Sequence, residues 1–229
     1  MKKEEFEKRV STLPDAEKSK ATGFFYTIHT EEDGKFKTIP YNEEYKDLLP
    51  RAAKLLKEAA ELTSNTSLKN FLTKRADAFL SNDYYDSDVA WMELDSPIEP
   101  TIGPYEVYMD ELFNYKAAFE AFITLRNDVE TKKLAKFSSY LQEIENNLPI
   151  DPKYRNPKLG ESSPIRVVDL IVTGGECRAG VQTAAFNLPN DEKVTAEKGS
   201  KRVMLKNVQE AKFKKALIPI SKVAMDKEQ

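Results

Sequence analysis

The sequence predicts an α+β fold in which helices surround a strand-rich region. Two segments, residues 45–62 and 68–80, repeat apolar side chains at the three- and four-residue spacing of amphipathic helices. Between residues 98 and 126 the pattern changes to aromatic and β-branched runs, which are typical of strands. Helices and strands do not alternate regularly along the chain, so a parallel βαβ architecture is not indicated.

The N-terminal part of the chain predicts a helix and a hairpin. Residues 3–13 are highly charged and fit a short surface helix. An Asp-Gly pair at 33–34 separates two apolar runs at 24–29 and 36–39. Asp-Gly between two such runs is a strong signal for a β-hairpin.

A helix is predicted to follow the hairpin, with Asn42 as a candidate N-cap and Leu62 near its end. Pro50 is expected to kink or break it, because proline lacks the backbone N–H that a helix interior needs. The expected apolar face comprises Tyr45, Leu48, Leu49, Ala52, Leu55, Leu56, Ala59 and Leu62. The second helix uses Leu68, Phe71, Leu72, Ala76, Phe79 and Leu80, and helical turns are expected from Tyr84 to Met92.

The second half of the chain mixes helices and strands. Apolar residues spaced by three and four predict one amphipathic helix over 134–148. Strands are predicted at 165–172 and 181–186, and a final helix at 206–224 contains Pro219.

Composition excludes several classes of function. The chain has 229 residues with 35 Lys+Arg against 38 Asp+Glu, a net charge of −3, so no basic nucleic-acid surface is expected. Its mean hydropathy is −0.58, and no apolar run approaches the roughly 20 residues of a membrane helix. The charged N-terminus lacks the apolar core of a signal peptide. A lone Cys177 excludes an internal disulfide, so a cytoplasmic location is expected.

The most informative segment, residues 103–109, reads Gly-Pro-Tyr-Glu-Val-Tyr-Met. Side chains alternate on a strand, so Glu106 and Tyr108 project to one side and the apolar residues to the other. A carboxylate beside a phenol can bind an ammonium group and hydrogen-bond a carbonyl oxygen. From these residues alone, an ordinary polar strand face is the favoured interpretation.

The same segment resembles the dipeptidyl peptidase III family of zinc metallopeptidases, whose Glu-x-Tyr substrate-binding element follows Gly-Pro. Residues 187–190, Asn-Leu-Pro-Asn, resemble the family's Asn-x-Pro-Asn element, and residues 198–208 continue the match. The resemblance runs from about Phe24 to the C-terminus and is closest to bacterial-type members. The chain departs from the pattern at Tyr105, usually aliphatic, and at Val107, where small polar residues are common.

The resemblance implies a cleft between a β-barrel-based domain and a helical domain that carries zinc. By this resemblance, the chain supplies most of the strand-rich half and some helices of the other half. By the same resemblance, Glu106 holds the substrate's N-terminal ammonium and Tyr108 is a catalytic residue that hydrogen-bonds the scissile carbonyl. Asn187 and Asn190 bind the N-terminal residues of the substrate, with Asn187 the firmer assignment. Turn formation by asparagine is compatible with that role.

The zinc helix of the family, His-Glu-x-x-Gly-His, is absent from this sequence. Its single histidine, His29, lies far from any such pattern. A catalytic zinc site needs three protein ligands and an open position, so we assign no metal ligand in this chain. The zinc that the resemblance implies is expected to bind outside it. We interpret the chain as the portion of a peptidase that precedes the zinc helix, a fragment that is inactive alone.

Three segments are expected: a charged N-terminal segment at 1–23, a hairpin and helical region at 24–97, and a strand-rich substrate-binding region at 98–229. The last ends in a helix that leads toward the missing zinc domain. The expected partners are a peptide with a free N-terminus and the missing half of the protein, without nucleic acid or membrane. Two alternatives stay open: a non-catalytic peptide-binding module, and a partner-docking module or truncated remnant.

Three other chemistries fit the sequence less well. Cys177 has no histidine partner in the sequence that would make it a protease nucleophile. The glycine-containing loop at 174–180 lacks the Gly-Lys-Ser/Thr ending of a phosphate-binding loop. Some relatives are fused to, or labelled as, Nudix hydrolases, but the Arg-Glu-x-x-Glu-Glu signature of those enzymes is absent from this chain.

Overall fold

The computed structural model describes residues 3–108, 110, 113–157, 165–179 and 182–225. The chain forms two compact units, and each combines non-contiguous segments. The first unit consists of Met1–Ser96, Pro100–Phe122 and Thr173–Gly180, and the second of Pro97–Glu99, Ile123–Val172 and Val181–Gln229. The predicted α+β class is confirmed.

Helices dominate the first half of the chain, whereas the second half mixes helices with strands. The first half contains α1 (Lys3–Ser11), α2 (Asp15–Thr22), β1 (Tyr26–Thr30), β2 (Phe36–Pro40), α3 (Tyr41–Glu44), α4 (Leu49–Leu62), α5 (Thr66–Ser81), α6 (Tyr85–Met92) and β3 (Ile98–Glu106). The second half contains β4 (Ala118–Arg126), α7 (Asp128–Ser138), α8 (Leu141–Asn146), β5 (Ile165–Gly175), β6 (Ala185–Leu188), α9 (Glu192–Lys198), β7 (Lys201–Leu205), α10 (Lys206–Lys212) and α11 (Ile218–Met225).

The strands form two sheets. The predicted hairpin is confirmed: β1 and β2 pair antiparallel, and Gly34 takes a positive φ of 79° in the turn between them. The larger sheet has the strand order β3-β4-β5-β7-β6, with β5 and β7 parallel and β6 and β7 antiparallel. The sequence does not predict strand β7, because the strand begins with two charged residues. Its alternation is nevertheless regular, since Lys201, Val203 and Leu205 are buried and Arg202 is exposed.

The helix predicted after the hairpin is divided close to Pro50, one of the two effects expected of that proline. The chain forms the short α3 and then α4, and Pro50 lies in the first turn of α4, where a missing N–H costs nothing. Asn42 does not cap a helix, because it lies within α3 and its amide donates to the Leu80 carbonyl at 3.0 Å. The buried face of α4 comprises Leu49, Ala53, Leu56 and Ala60. The predicted face is therefore only partly correct, and Leu48, Leu55 and Leu62 are exposed.

The helix predicted over 134–148 is also divided. Helix α7 ends at Ser138 and α8 begins at Leu141, with the Tyr140 amide bonded to the Phe137 carbonyl at 3.0 Å. Such a three-residue hydrogen bond tightens the last turn and interrupts the helical repeat. Strand β6 begins at Ala185 rather than at Val181, and Val181 lies outside the described residues.

The predicted C-terminal helix is confirmed, with an irregular turn in its middle. Between α10 and α11 the chain makes a π-helical turn over Phe213–Leu217, immediately before Pro219. Proline cannot donate to the preceding turn, and such wide turns accommodate breaks of this kind. The exposed apolar residues of this segment are Phe213, Leu217, Ile218, Ile220, Val223 and Met225.

The first unit is organised around a completely buried arginine on α5. The Arg75 guanidinium donates to Asp88 Oδ1 on α6 at 2.6 Å and also contacts the Tyr105 hydroxyl on β3. The Tyr105 hydroxyl in turn donates to Asp88 Oδ1 at 2.7 Å. Burial raises the pKa of Tyr105 well above its ordinary value, so the phenol keeps the proton that it donates. The three side chains tie β3 to both helices.

The Gly103-Pro104 pair is explained by this arginine. A Cβ added at Gly103 would lie 2.6 Å from Arg75 Nη1, closer than real Cβ atoms approach other groups. Gly103 also has a φ of 155°, which L-residues rarely adopt. Glycine is thus required where β3 passes the guanidinium.

The second unit contains its own buried charges. Glu99 on β3 lies 3.3 Å from the Arg166 Nε on β5 and 3.9 Å from an Arg126 nitrogen on β4. Lys201 on β7 is also buried, and burial lowers its pKa to about 8, although Glu99 opposes that change. These charges accompany an apolar core that includes Val167, Val168, Val194 and Leu205.

Substitution of Asp88 by alanine should strongly destabilise the protein. The change removes the carboxylate that neutralises the buried Arg75, and uncompensated buried charges cost about 3–5 kcal/mol. Urea denaturation should show a loss of that size in the free energy of unfolding. Asp86→Ala, an exposed position on the same helix, is the matched control. A loss for Asp88→Ala no larger than for the control would contradict the organising role of Arg75.

Candidate substrate-binding site

The end of β3 presents the predicted Glu-x-Tyr pair. Tyr105 and Val107 are buried, at 4% and 8% exposure, whereas the Tyr108 side chain is 78% exposed. This alternation is the one that the sequence predicts. Met109 is expected from the sequence to be buried as well, but it lies outside the described residues.

The two oxygens of the Glu106 carboxylate have different surroundings. Oε1 accepts a hydrogen bond from the backbone amide of Tyr108 at 2.6 Å, which fixes the orientation of the carboxylate. Oε2 is buried, and within the described part of the chain no hydrogen-bond partner reaches it. A buried acceptor without a partner costs about 1–3 kcal/mol, more when it is charged. This oxygen is therefore suited to a ligand that donates a hydrogen bond and carries positive charge.

An aspartate holds the loop that follows Tyr108. The Asp110 carboxylate accepts hydrogen bonds from the backbone amides of Asn114, Tyr115 and Lys116 at 3.0, 2.7 and 3.0 Å. Phe113 and Asn114 have positive φ values of 75° and 62°, which side-chain-bearing residues seldom adopt. The three bonds to Asp110 stabilise this unusual backbone.

Lys116 connects the same loop to helix α2. Its Nζ donates to the Gly23 carbonyl at 2.8 Å and lies 3.4 Å from the Lys20 carbonyl, at the end of that helix. Cations are favourable at a helix C-terminus. Burial lowers the pKa of Lys116 to about 8, and the Asp110 carboxylate opposes the change. Lys116 thus attaches the end of the loop to the end of α2.

A second glutamate, not singled out from the sequence, lies near Glu106. Glu120 is on β4, the neighbour of β3, and is only 8% exposed. Burial, followed by the Glu106 carboxylate, raises the pKa of Glu120 to about 7. A signal for this residue exists in the sequence. Its neighbours on the same strand face, Ala118 and Phe122, are apolar, which indicates a carboxylate inside a buried face.

The two predicted asparagines belong to the second unit. Asn187 lies on β6 opposite Arg202 of β7, and its side chain is exposed. A groove of about 330 Å³ adjoins it and is lined by Ile165, Ala185, Phe186, Asn187, Arg202, Val203 and Met204. Asn190 is half-buried in the segment between β6 and α9, next to Asp191, whose carboxylate caps α9. Glu106 and Tyr108 lie together in the first unit.

The described residues do not fit a catalytic metal. They contain no group of three or more His, Cys, Asp or Glu side chains that could hold an ion. The single histidine, His29 on hairpin strand β1, lies 3.1 Å from Glu44 of α3 in an exposed contact. Within the same described residues, no helix is long and apolar enough to cross a membrane.

Comparison with known proteins identifies the class to which the chain belongs. Residues 2–228 match the model of Peptidase family M49. The structure of dipeptidyl-peptidase III from Corallococcus sp. strain EGB is 63% identical with a TM-score of 0.84, over 97% of this chain and 42% of that chain. The structure of DPP III from Caldithrix abyssi is 56% identical with a TM-score of 0.88, over the same shares.

The chain therefore belongs to Peptidase family M49, and its resemblance to dipeptidyl peptidase III is confirmed. A protein of Arabidopsis thaliana called Nudix hydrolase 3 is 43% identical over 249 residues, covering 100% of this chain and 32% of that protein. The chain thus spans less than half the length of each of these three relatives.

Substitution of Asp110 by alanine should loosen the loop beside Tyr108. Hydrogen bonds to a charged group are worth about 1.5–3 kcal/mol, so amide exchange at Tyr115 and Lys116 should become at least about tenfold faster. NMR-detected hydrogen exchange measures this. Asp33→Ala removes a similar bond to the Lys35 amide in the hairpin and should leave those two amides unchanged. Unchanged exchange in Asp110→Ala would show that the carboxylate does not hold the loop.

Proposed function

We propose that this chain is the substrate-binding part of a zinc-dependent dipeptidyl peptidase, which removes dipeptides from the N-termini of peptides. The observation that carries the proposal is the buried, unpartnered Oε2 of Glu106 beside the exposed Tyr108, in a chain that belongs to a peptidase family. The names of the two solved relatives support the same substrate class.

Glu106 anchors the free amine of the peptide. The Tyr108 amide already orients its carboxylate through Oε1, so Oε2 can accept a hydrogen bond from an ammonium group without rearrangement. A charge-assisted bond of this type is about twice as strong as a neutral one. Fixing the N-terminus at one point also fixes which peptide bond lies at a given distance from it. A dipeptide register follows from that constraint.

Tyr108 acts on the peptide bond rather than on the amine. Its exposed phenol can donate a hydrogen bond to the scissile carbonyl oxygen and stabilise the negative charge that develops there during hydrolysis. The bond between the Glu106 carboxylate and the Tyr108 amide keeps the two residues in a fixed relation.

Asn187 and Asn190 bind the backbone of the first substrate residues. An asparagine amide provides both a donor and an acceptor, which matches the N–H and C=O of a peptide. The exposed position of Asn187 at the groove on β6 and β7 supports this role.

We assign the metal to residues outside this chain, because the sequence has a single histidine and lacks the His-Glu-x-x-Gly-His helix. When bound, zinc supplies activation of water for hydrolysis. The chain by itself then binds peptides without cleaving them.

Glu106→Gln should weaken binding of peptides that have a free N-terminus. Glutamine can still accept a bond from the Tyr108 amide but lacks the charge that attracts the ammonium, so affinity should fall at least about tenfold. Isothermal titration of the chain with a free-amine tetrapeptide and with its N-acetylated form measures the effect. Binding of the acetylated peptide should be unaffected.

Glu93→Gln, at an exposed position, serves as the matched control. If Glu106→Gln kept the full preference for the free amine, the anchoring role would be wrong. Dipeptide release by this chain supplied with zinc alone would overturn the assignment of the metal site to other residues.

Tyr108→Phe should reduce turnover in a complete peptidase that contains this chain, with little effect on substrate affinity. The phenyl ring keeps the shape of the side chain but cannot donate to the carbonyl oxygen, and loss of one such donor costs about 100- to 1000-fold in kcat. Steady-state kinetics separate kcat from KM. An unchanged kcat would remove Tyr108 from the catalytic step.

A further inference from the structure

The N-terminal helix α1 packs an aromatic side chain against the loop that follows Tyr108. Phe6 is 2% exposed, and its ring stacks on the ring of Phe113, with centroids 5.5 Å apart and an interplanar angle of 29°. Phe113 stacks in turn on Tyr115, with centroids 5.3 Å apart. The Lys3 Nζ lies 4.5 Å from the Phe113 ring centroid, a favourable cation–π distance. Residues of α1 therefore contact this loop directly.

Helix α1 is itself attached to other parts of the first unit. Phe6 also packs against Phe36 of β2, with ring centroids 5.5 Å apart, and belongs to a buried apolar cluster that includes Val10. The Arg9 guanidinium donates to the Gly34 carbonyl in the hairpin turn at 2.7 Å. Because the helix is fixed to the hairpin in these two ways, it can support the loop that it contacts.

The loop needs support because its backbone is unusual at the residue that Phe6 contacts. Phe113 has a φ of 75°, and a residue with a side chain keeps such a conformation only where its surroundings impose it. The Asp110 carboxylate bonds the amide of Asn114, the next residue, whereas the stack with Phe6 holds the Phe113 ring itself. Two separate contacts thus impose the conformation of this loop.

The conformation of the loop bears directly on Tyr108. The Tyr108 side chain is 78% exposed, so it has little packing of its own that could fix the phenol. Its backbone lies between two anchored residues, since its amide donates to Glu106 Oε1 at 2.6 Å and Asp110, two residues later, bonds the loop. A displaced loop would therefore move both the phenol and the amide that orients the Glu106 carboxylate. Misplacement of a reacting group by about 1 Å can cost about 100-fold in rate.

We propose that Phe6 is a positioning residue for Tyr108: through its stack on Phe113, helix α1 holds the loop in the conformation that places the phenol and orients Glu106. This role rests on the proposed function, because it supports the two residues to which that function assigns the substrate. Phe6 is buried and acts through Phe113. The role differs from ordinary packing, since it depends on the stacked ring and not on apolar burial alone.

Amide hydrogen exchange of the 229-residue chain, measured by NMR, tests the support of the loop. Phe6→Leu keeps an apolar side chain but cannot stack as a flat ring, so the Tyr108 and Tyr115 amides should exchange at least about tenfold faster. Val10→Ala is the matched control, because it removes apolar volume from the same helix and the same buried cluster. The Tyr108 amide should keep its wild-type rate in that control.

Titration calorimetry with a free-amine tetrapeptide and its N-acetylated form tests the consequence for binding. Phe6→Leu should weaken binding of the free amine about threefold to tenfold, the cost of reordering one side chain on binding. Binding of the acetylated peptide should not change, and neither peptide should bind Val10→Ala differently from the wild-type chain. Urea denaturation of the same samples should show that both variants are folded.

A double-mutant cycle tests whether Phe6 acts through Phe113. Phe113→Leu alone should accelerate exchange of the Tyr108 amide as much as Phe6→Leu does. Residues in direct contact are coupled, so the double variant should exchange no faster than either single variant. Additive effects would show that the two rings act independently, and would overturn the proposed role of Phe6.

The outcomes separate this role from the proposed function. If Glu106→Gln abolishes the preference for the free amine but Phe6→Leu keeps the wild-type exchange and affinity, the positioning role is wrong and the proposed function stands. Equal effects of Phe6→Leu and Val10→Ala on the Tyr108 amide would show that α1 contributes only packing, and would also overturn the role. If the wild-type chain does not distinguish the amine from its N-acetyl form, the proposed function fails and the positioning role fails with it.

Discussion

The buried guanidinium of Arg75 is the constraint on which the segment that carries the candidate site depends. It contacts Asp88 and Tyr105 at once, and its approach to the backbone requires glycine at position 103. The Tyr105 side chain must therefore lie on the face of β3 that packs against Arg75 and Asp88. Because side chains alternate along a strand, fixing Tyr105 inward also determines that Glu106 lies on the opposite face. The position of the candidate site is thus set by an ion pair that is itself buried.

In the candidate site the backbone amides of the loop are hydrogen-bonded, whereas an oxygen of the Glu106 carboxylate has no hydrogen-bond partner among the described residues. Asp110 and Lys116 use their charges to complete the hydrogen bonds of the loop after Tyr108. The unpartnered oxygen of Glu106 lowers stability in the absence of ligand. A peptide amine would relieve that cost on binding, which ties the electrostatics of this segment to recognition of an N-terminus.

The sequence predicts the fold class, the hairpin, α5, α6 and the C-terminal helix. Each of these elements is encoded by nearby residues, either by the spacing of apolar residues along a helix or by the Asp-Gly pair in the turn. The sequence anticipates a break at Pro50 but not that Pro50 lies in the first turn of a new helix, α4. It also misses β7, because the buried Lys201 gives that core strand a charged first residue. In the candidate site, the motif is sufficient to find the Glu-x-Tyr pair. The motif does not include Glu120, which lies on the neighbouring strand β4. The apolar Ala118 and Phe122 beside it indicate burial, but local sequence does not show that β4 pairs with β3.

A crystal structure of the chain with a bound free-amine dipeptide amide would show whether Glu106 holds the amine. We predict that the amine nitrogen lies at hydrogen-bond distance, about 2.7–3.2 Å, from Oε2 of Glu106. A dipeptide bound elsewhere, or one whose amine leaves Glu106 Oε2 without a partner, would contradict the role of Glu106 as the amine anchor.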